Sequence, residues 1–273
     1  MKTTAFAAIV GLAGAAVFLV APGLLAQDAA KQPPTVVVPK GKTVSAKEAA
    51  AIKKISDAKT PDERIAAVES LITNFADTSF KGAALYEAAE AADQKQDYVK
   101  AVTYGDLSIE ADPKAGTAMN AMLLVAGELA QHTREFDVDR EDKLGKAEKY
   151  VNEALAMLPT ITKPEGVKIS DADWEAFRKD KTSEAHRDLG LIATARKKWD
   201  VAVTEFKLAV DGSSVPDSVL MARLGNAYNE NKNYADAQAI LKKAQAMPNL
   251  NPSVKALVDQ EEKRAETGLK GAK

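Results

Sequence analysis

Apolar residues recur at helical spacing along this chain from about position 45 onward. Ser45 with Glu48 forms a capping box, which predicts a helix to about Ala58. Thr60 followed by Pro61 predicts the start of a second helix, because proline is tolerated in the first turn. One face of that helix carries four apolar residues: Ile65, Val68, Leu71 and Ile72. The pattern therefore predicts a chain of amphipathic helices.

Two neighbouring stretches between 183 and 250 share landmarks that lie 35 residues apart. Gly190 and Gly225 each follow a leucine, and Ala202 and Ala237 lie 12 residues after these glycines. Such small residues allow two helices to approach closely. A repeat of this length is typical of stacked helix-turn-helix pairs, so we expect antiparallel helix pairs here.

The order Leu-Gly, Tyr, aromatic, Ala, Phe and Ala in these stretches resembles the tetratricopeptide repeat (TPR) family. The resemblance implies an all-α fold, in which antiparallel helix pairs stack into a right-handed superhelical solenoid. It also implies a protein that holds other molecules. The landmarks are Leu189, Gly190, Trp199, Ala202, Phe206 and Ala209, then Leu224, Gly225, Tyr228, Tyr234, Ala237, Leu241 and Ala244.

The same phase divides residues 45–268 into five predicted helix pairs and a terminal helix. The pairs span about 45–79, 80–114, 115–160, 183–217 and 218–251, the terminal helix spans 252–268, and a tail covers 269–273. Excess residues near 132–143 and 160–181 read as insertions, which occur in loops or lengthened helices. In the second pair Gly105 stands where the family has Phe, so we expect looser packing there.

Asn251-Pro252 predicts the start of a short terminal helix that caps the array. Val254, Leu257 and Val258 are expected to face inward. The charged residues Glu261, Glu262 and Lys263 are expected to face outward.

The N-terminal residues 1–26 have the features of a secretory signal. Lys2 precedes an apolar run from Ala5 to Ala21, and Pro22-Gly23 follows it. The alternative is a retained membrane anchor, because the 17-residue run is just long enough for a span. Residues 27–44 are predicted to be a Pro-rich linker, or a strand that pairs with a partner's sheet. Whether residues 1–26 are a cleaved signal or a retained anchor, we expect the rest of the chain to lie outside the cytoplasm, in the periplasm or secreted.

Composition narrows the possible functions. With 46% hydrophobic and 28% charged residues the chain is suited to folding. The net charge of −2 offers no basic field for nucleic acid. Zero cysteines exclude disulfides, thiolate nucleophiles and cysteine zinc sites.

Candidate catalytic and metal-ligating residues are few. The only histidines, His132 and His186, fall in different helix pairs, and we expect neither to be catalytic and no cofactor to be bound. Asp137, Asp139, Glu141 and Glu148 match the first, third, fifth and twelfth places of a calcium loop. The sixth place is Asp142 instead of glycine, so the preferred interpretation is that Asp139 and Asp142 cap a helix.

The TPR resemblance also implies a concave groove lined by the first helix of each pair. The groove residues that it implies here are Tyr86, Glu90, Asp93, Glu184, Arg187, Leu191, Thr194, Ala222, Asn226 and Asn229. Arg187 and Asn226 are suited to hold a carboxylate or a backbone amide. Leu191 stands where the family's carboxylate clamp needs Asn, which argues against capture of a C-terminal tail.

The sequence therefore favours an exported, non-enzymatic scaffold that binds a protein or peptide partner in its groove, for example in cell-envelope assembly. One alternative is a structural protein that self-associates through the ends of the array. Another is a calcium-binding protein that uses the acids of 137–148. No nucleic acid is expected as a partner, and a membrane only if the N-terminal segment is retained.

Overall fold

A computed structural model describes residues 44–163 and 168–271, and in these ranges the chain is all-helical without a strand. The prediction of an all-α fold is confirmed. The helices are α1 (Ala46–Asp57), α2 (Pro61–Asn74), α3 (Lys81–Gln94), α4 (Tyr98–Ala111), α5 (Gly116–His132), α6 (Arg140–Met157), α7 (Asp171–Ala195), α8 (Trp199–Gly212), α9 (Ser218–Glu230), α10 (Tyr234–Gln245) and α11 (Pro252–Gly271). The predicted signal or anchor and most of the linker lie outside the described residues. No helix within these ranges is long and apolar enough to cross a membrane.

The chain forms two compact units. Of the described residues, the first unit comprises 44–128, 159–163 and 168–174, and the second comprises 129–158 and 175–271. In the first unit, α1 packs on α2, α2 on α3 and α3 on α4, around a core that includes Ile52, Val68 and Leu71. In the second unit, α8 packs on α9, α9 on α10 and α11 on both, around Phe206 and Leu241.

The helix starts follow the capping residues seen in the sequence. Ser45 accepts a hydrogen bond from Glu48 N at 3.1 Å, and Thr60 accepts one from Glu63 N at 3.2 Å. Asn251 caps α11 in the same way. At the start of α7, the Ser170 hydroxyl also accepts a hydrogen bond, from Asp173 N at 3.1 Å. The capping box is half formed, because the Glu48 carboxylate accepts from the Thr78 hydroxyl at 2.8 Å. That bond ties the start of α1 to the turn after α2.

Close helix packing at the two repeat glycines is confirmed. A Cβ added at Gly190 would lie 2.5 Å from Phe206 Cδ1, and one at Gly225 would lie 2.5 Å from Leu241 Cδ2. Each glycine of a first helix therefore receives a large side chain from the second helix of its pair. The expected looseness at Gly105 is wrong, because Val125 of α5 fills that space and would clash with an added Cβ.

Three turns between paired helices share one backbone conformation. Gln96, Lys197 and Lys232 have φ values of 59°, 58° and 62°. The residue after each donates its N–H to a carbonyl five positions back, at 3.0, 2.9 and 2.8 Å. This is the Schellman arrangement, which ends a helix through a left-handed residue. The α3–α4, α7–α8 and α9–α10 pairs thus turn in the same way.

The terminal helix differs from its prediction. It has 20 residues and extends to Gly271. Glu261, expected to face outward, is 3% exposed, whereas Leu257, expected to face inward, is 37% exposed. Glu261 is stabilised inside because two asparagine side chains of α9 donate hydrogen bonds to it.

The two predicted insertions are now explained in structural terms. A connection over 133–139 joins α5 to α6, and α7 is lengthened to 25 residues from Asp171. Trp174 and Phe177 both lie in that single helix. Asp139 precedes α6 but makes no side-chain capping bond.

Candidate partner-binding surface

The implied groove residues of the first unit lie on α3. Tyr86 is 4% exposed, and its hydroxyl donates to Glu90 Oε1 at 2.7 Å. Asp93 is exposed in the last turn of the helix. Of these three side chains, Asp93 is the most accessible to a partner.

The other seven implied groove residues lie in the second unit, and α11 contacts two of them, Asn226 and Asn229. Asn226 Nδ2 donates to Glu261 Oε1 at 3.0 Å, and Asn229 Nδ2 donates to Glu261 Oε2 at 2.8 Å. Asn229 also donates to the Glu261 carbonyl at 2.9 Å and is only 1% exposed. With α11 in place, Asn229 has no surface for a partner. Leu191 is half-buried and packs against the core.

Arg187 belongs to a compact charged cluster on α7. Its Nε donates to Asp188 Oδ1 at 2.9 Å, and its Nη2 lies 3.6 Å from Glu184 Oε1. Asp188 is fully buried, and its Oδ2 has no hydrogen-bond partner among the described residues. Burial raises the pKa of the Asp188 carboxyl to about 6, with Glu184 adding to the rise and Arg187 opposing it. The cluster therefore holds a carboxyl that is costly to ionise.

Arg223 of α9 faces the same cluster. Its Nη2 donates to the Gln131 carboxamide at 3.2 Å. No carboxylate of the described residues forms an ion pair with Arg223, although Asp188 and Asp217 act on it electrostatically. Burial and the positive charge of Arg187 lower the pKa of Arg223. A half-buried guanidinium without a carboxylate at contact distance is suited to accept one from a ligand.

The sequence interpretation missed Asp188, Arg223 and Glu261, although the repeat held a signal for them. Asp188 and Arg223 are 35 positions apart, and so are Asn226 and Glu261. Residues one period apart occupy equivalent places in neighbouring helices. Complementary polar residues at that spacing could therefore have been paired before the structure was known.

The acids of 137–148 are engaged by cations. Asp137 and Asp139 lie 3.4 and 2.9 Å from Lys143 Nζ, and Glu148 lies 2.7 Å from Arg196 Nη1. Within the described ranges no group of acids and histidines is arranged to hold a metal ion. A calcium ion would have to compete with Lys143 and Arg196 for these carboxylates.

The two histidines lie on different helices, α5 and α7. His186 Nδ1 is 2.8 Å from Glu205 Oε2 of α8, which links the two helices of that pair. His132 is the exposed last residue of α5.

No protein-family model matches the chain, and no curated protein is similar to it. The geometry of the second unit is therefore the basis on which a function is proposed.

Proposed function

We propose that this protein is an exported, non-enzymatic scaffold built of TPR-like helix pairs, which binds a protein or peptide partner on the first-helix surface of its second unit. The observation that carries this proposal is the charged surface shared by α7 and α9. There Arg223 donates to a neutral carboxamide and forms no ion pair with a carboxylate of the described residues, while Asp188 and Asp217 act on it only at longer range. The recurring turn at Gln96, Lys197 and Lys232 supports the TPR-like part of the proposal.

Arg187 and Arg223 are central to this surface, and Asn226 and Asn229 are not. The two asparagines are used by the chain itself, because Glu261 of α11 accepts their hydrogen bonds. An acidic group of a partner would meet the guanidinium of Arg223 and would neutralise the repulsion between Arg223 and Arg187. A partner segment that carries a carboxylate is therefore the expected ligand.

The test is a crosslinking capture from the protein's own envelope extract with the wild type and with Arg223→Gln. This variant removes the charge and loses a single neutral-acceptor hydrogen bond, so the fold should persist. The matched control is Lys207→Gln, an exposed residue on α8. We expect one or two proteins to be captured by the wild type and the control, and to be lost with Arg223→Gln.

Two results would contradict this assignment. Unchanged capture by Arg223→Gln would show that the α7–α9 surface is not the binding site. Recovery of the chain alone, with a mass that rises with concentration, would favour the self-associating alternative. Thermal melting of each variant confirms that the differences do not arise from unfolding.

A further inference from the structure

The connection 133–139 places two apolar side chains in solvent. Phe136 is 92% exposed and Val138 is fully exposed, and they are the most exposed large apolar residues of the described ranges. The next are Val215 and Val99, at 58% and 56%. Exposed apolar residues are ordinary when single. A phenylalanine and a valine that protrude together from one short connection form an apolar tip.

Polar contacts on both sides hold this connection in place. Asp137, between the two apolar residues, accepts from Arg134 N at 3.1 Å and lies 3.4 Å from Lys143 Nζ. Glu135 lies 2.6 Å from Lys197 Nζ, and the Arg140 guanidinium donates to the Ala195 carbonyl. The tip is therefore fixed before it meets a partner, so little conformational entropy remains to be lost on insertion.

The surface around the tip is charged and internally paired. Lys143 is shared by Asp137 and Asp139, and Arg196 is shared by Glu141 and Glu148. Arg140 also pairs with Glu141, and Lys197 pairs with Glu135. These four cations and five carboxylates carry a net charge of −1 (4 − 5 = −1), so the electrostatic field of this surface is weak. The tip itself presents roughly 300–400 Å² of apolar surface. A stable protein interface needs about 800 Å² on each partner.

We propose that Phe136 and Val138 insert into the interfacial region of a lipid bilayer. The ion-paired residues around the tip form a polar collar. A narrow apolar tip above such a collar fits a partner into which it can insert, and not a partner that offers a broad flat surface. A bilayer allows this insertion, and the collar can stay among the headgroups. Because the charged residues around the tip have no excess of cations, insertion depends on the apolar side chains and not on anionic lipid.

A reporter on the tip tests this inference. The chain has no cysteine, so Val138→Cys in the full-length protein creates a single site for an environment-sensitive dye. The labelled protein is mixed with vesicles of phosphatidylcholine, or of phosphatidylcholine and phosphatidylglycerol in equal parts. We expect a blue shift with both, and quenching by nitroxide-labelled lipid. This readout senses the tip itself, whether or not the N-terminal segment is also in the bilayer.

Matched variants make the result specific. Adding Phe136→Ser should reduce partition of the tip at least tenfold, whereas adding Val215→Ser should leave it unchanged. A dye at Val215→Cys should show no shift.

Three outcomes would overturn the inference: no shift with either vesicle, a shift that needs phosphatidylglycerol and vanishes at high salt, or capture of a protein partner that Phe136→Ser abolishes. Arg223→Gln should leave the shift unchanged. Failure of the bilayer inference can therefore be distinguished from failure of the proposed partner site.

Discussion

The α3–α4 pair and the α7–α8 pair make the same backbone turn with different packing residues. Gln96 and Lys197 take the same left-handed conformation, with φ values of 59° and 58°. In α7–α8 the first helix supplies Gly190 and the second supplies Phe206 to fill the contact. In α3–α4 the second helix supplies Gly105, and Val125 of α5 fills the space. The backbone arrangement is thus kept when the large residue comes from another helix.

This difference shows what the family-like landmarks do. Leu-Gly and Phe describe one way to fill the space between two helices, and a sequence that lacks them is not necessarily loosely packed. What must be preserved is the volume that is filled, since protein interiors are close-packed.

The largest expected effect is at Phe206, which fills the α7–α8 contact. Phe206 is 2% exposed within the core of the second unit, so Phe206→Ala should lower the free energy of unfolding by about 3–5 kcal/mol. Leu208→Ala, on the same helix but 46% exposed, should cost under about 1 kcal/mol. Urea unfolding measures both. Equal losses would mean that Phe206 is not the residue that fills this contact.

The second effect compares two buried carboxyls at equivalent repeat positions, Asp188 and Glu87. The pKa of Asp188 is raised from 3.8 to about 6 by burial, so the folded state binds its proton more tightly than the unfolded state does. The contribution of the protonated Asp188 carboxyl to the free energy of unfolding is complete below about pH 4 and is lost as pH rises through about 6. The loss is on the order of 3 kcal/mol, at about 1.4 kcal/mol for each pKa unit.

Asp188→Asn should remove this dependence, so the difference in unfolding free energy between variant and wild type should grow between about pH 4 and 6. Burial also raises the pKa of Glu87, with Arg64 opposing the rise. Glu87 keeps a side-chain exposure of 20%, so Glu87→Gln should show the same sign and a smaller change. A flat difference for Asp188→Asn would contradict the assigned burial cost. Asp142→Asn, at an exposed site, serves as control.

The sequence predicted the parts of the fold that depend on local signals. Thr60 and Asn251 cap helices because their side chains reach N–H groups two or three residues away. Gly190 and Gly225 were identified because the repeat displays them twice. These caps and glycines can be predicted from the sequence because the residues that interact lie within one helix pair.

The parts that could not be predicted depend on contacts between distant residues. A glutamate in an amphipathic pattern indicates the solvent face, yet Glu261 is buried because Asn226 and Asn229 satisfy its carboxylate. That error also placed the two asparagines in an open groove. The 92% exposure of Phe136 was equally invisible in the sequence, because an apolar residue in a polar stretch does not show which way the connection turns it.

The third effect tests whether a stiff ring resists an added methyl group more than an aliphatic side chain does. Gly190→Ala places a Cβ 2.5 Å from the Phe206 ring, and should destabilise the protein by about 1–2 kcal/mol, because overpacking outweighs the gain in helix propensity. Gly105→Ala meets one methyl group of Val125 and should cost less. Adding Val125→Ala should reduce the cost of Gly105→Ala further in a double-mutant cycle.

The control for this pair is Gly145 of α6. A Cβ at Gly145 has no atom within 4 Å, so Gly145→Ala should stabilise the helix by about 0.5–1 kcal/mol. A gain in stability from Gly190→Ala would mean that α7 and α8 are not packed closely at this point.

The smallest effect tests the feature that the two regions share. Gln96 and Lys232 occupy left-handed positions, with φ values of 59° and 62°, where a side chain costs roughly 1–2 kcal/mol and glycine does not. Gln96→Gly and Lys232→Gly should each stabilise the protein by about 0.5–1 kcal/mol, since the entropy lost by glycine offsets part of the gain. Lys59, in the α1–α2 connection, is not among the residues with positive φ, so Lys59→Gly should be destabilising. Thermal unfolding of the three variants measures this, and unequal gains at Gln96 and Lys232 would show that the common turn is under different constraints in the two units.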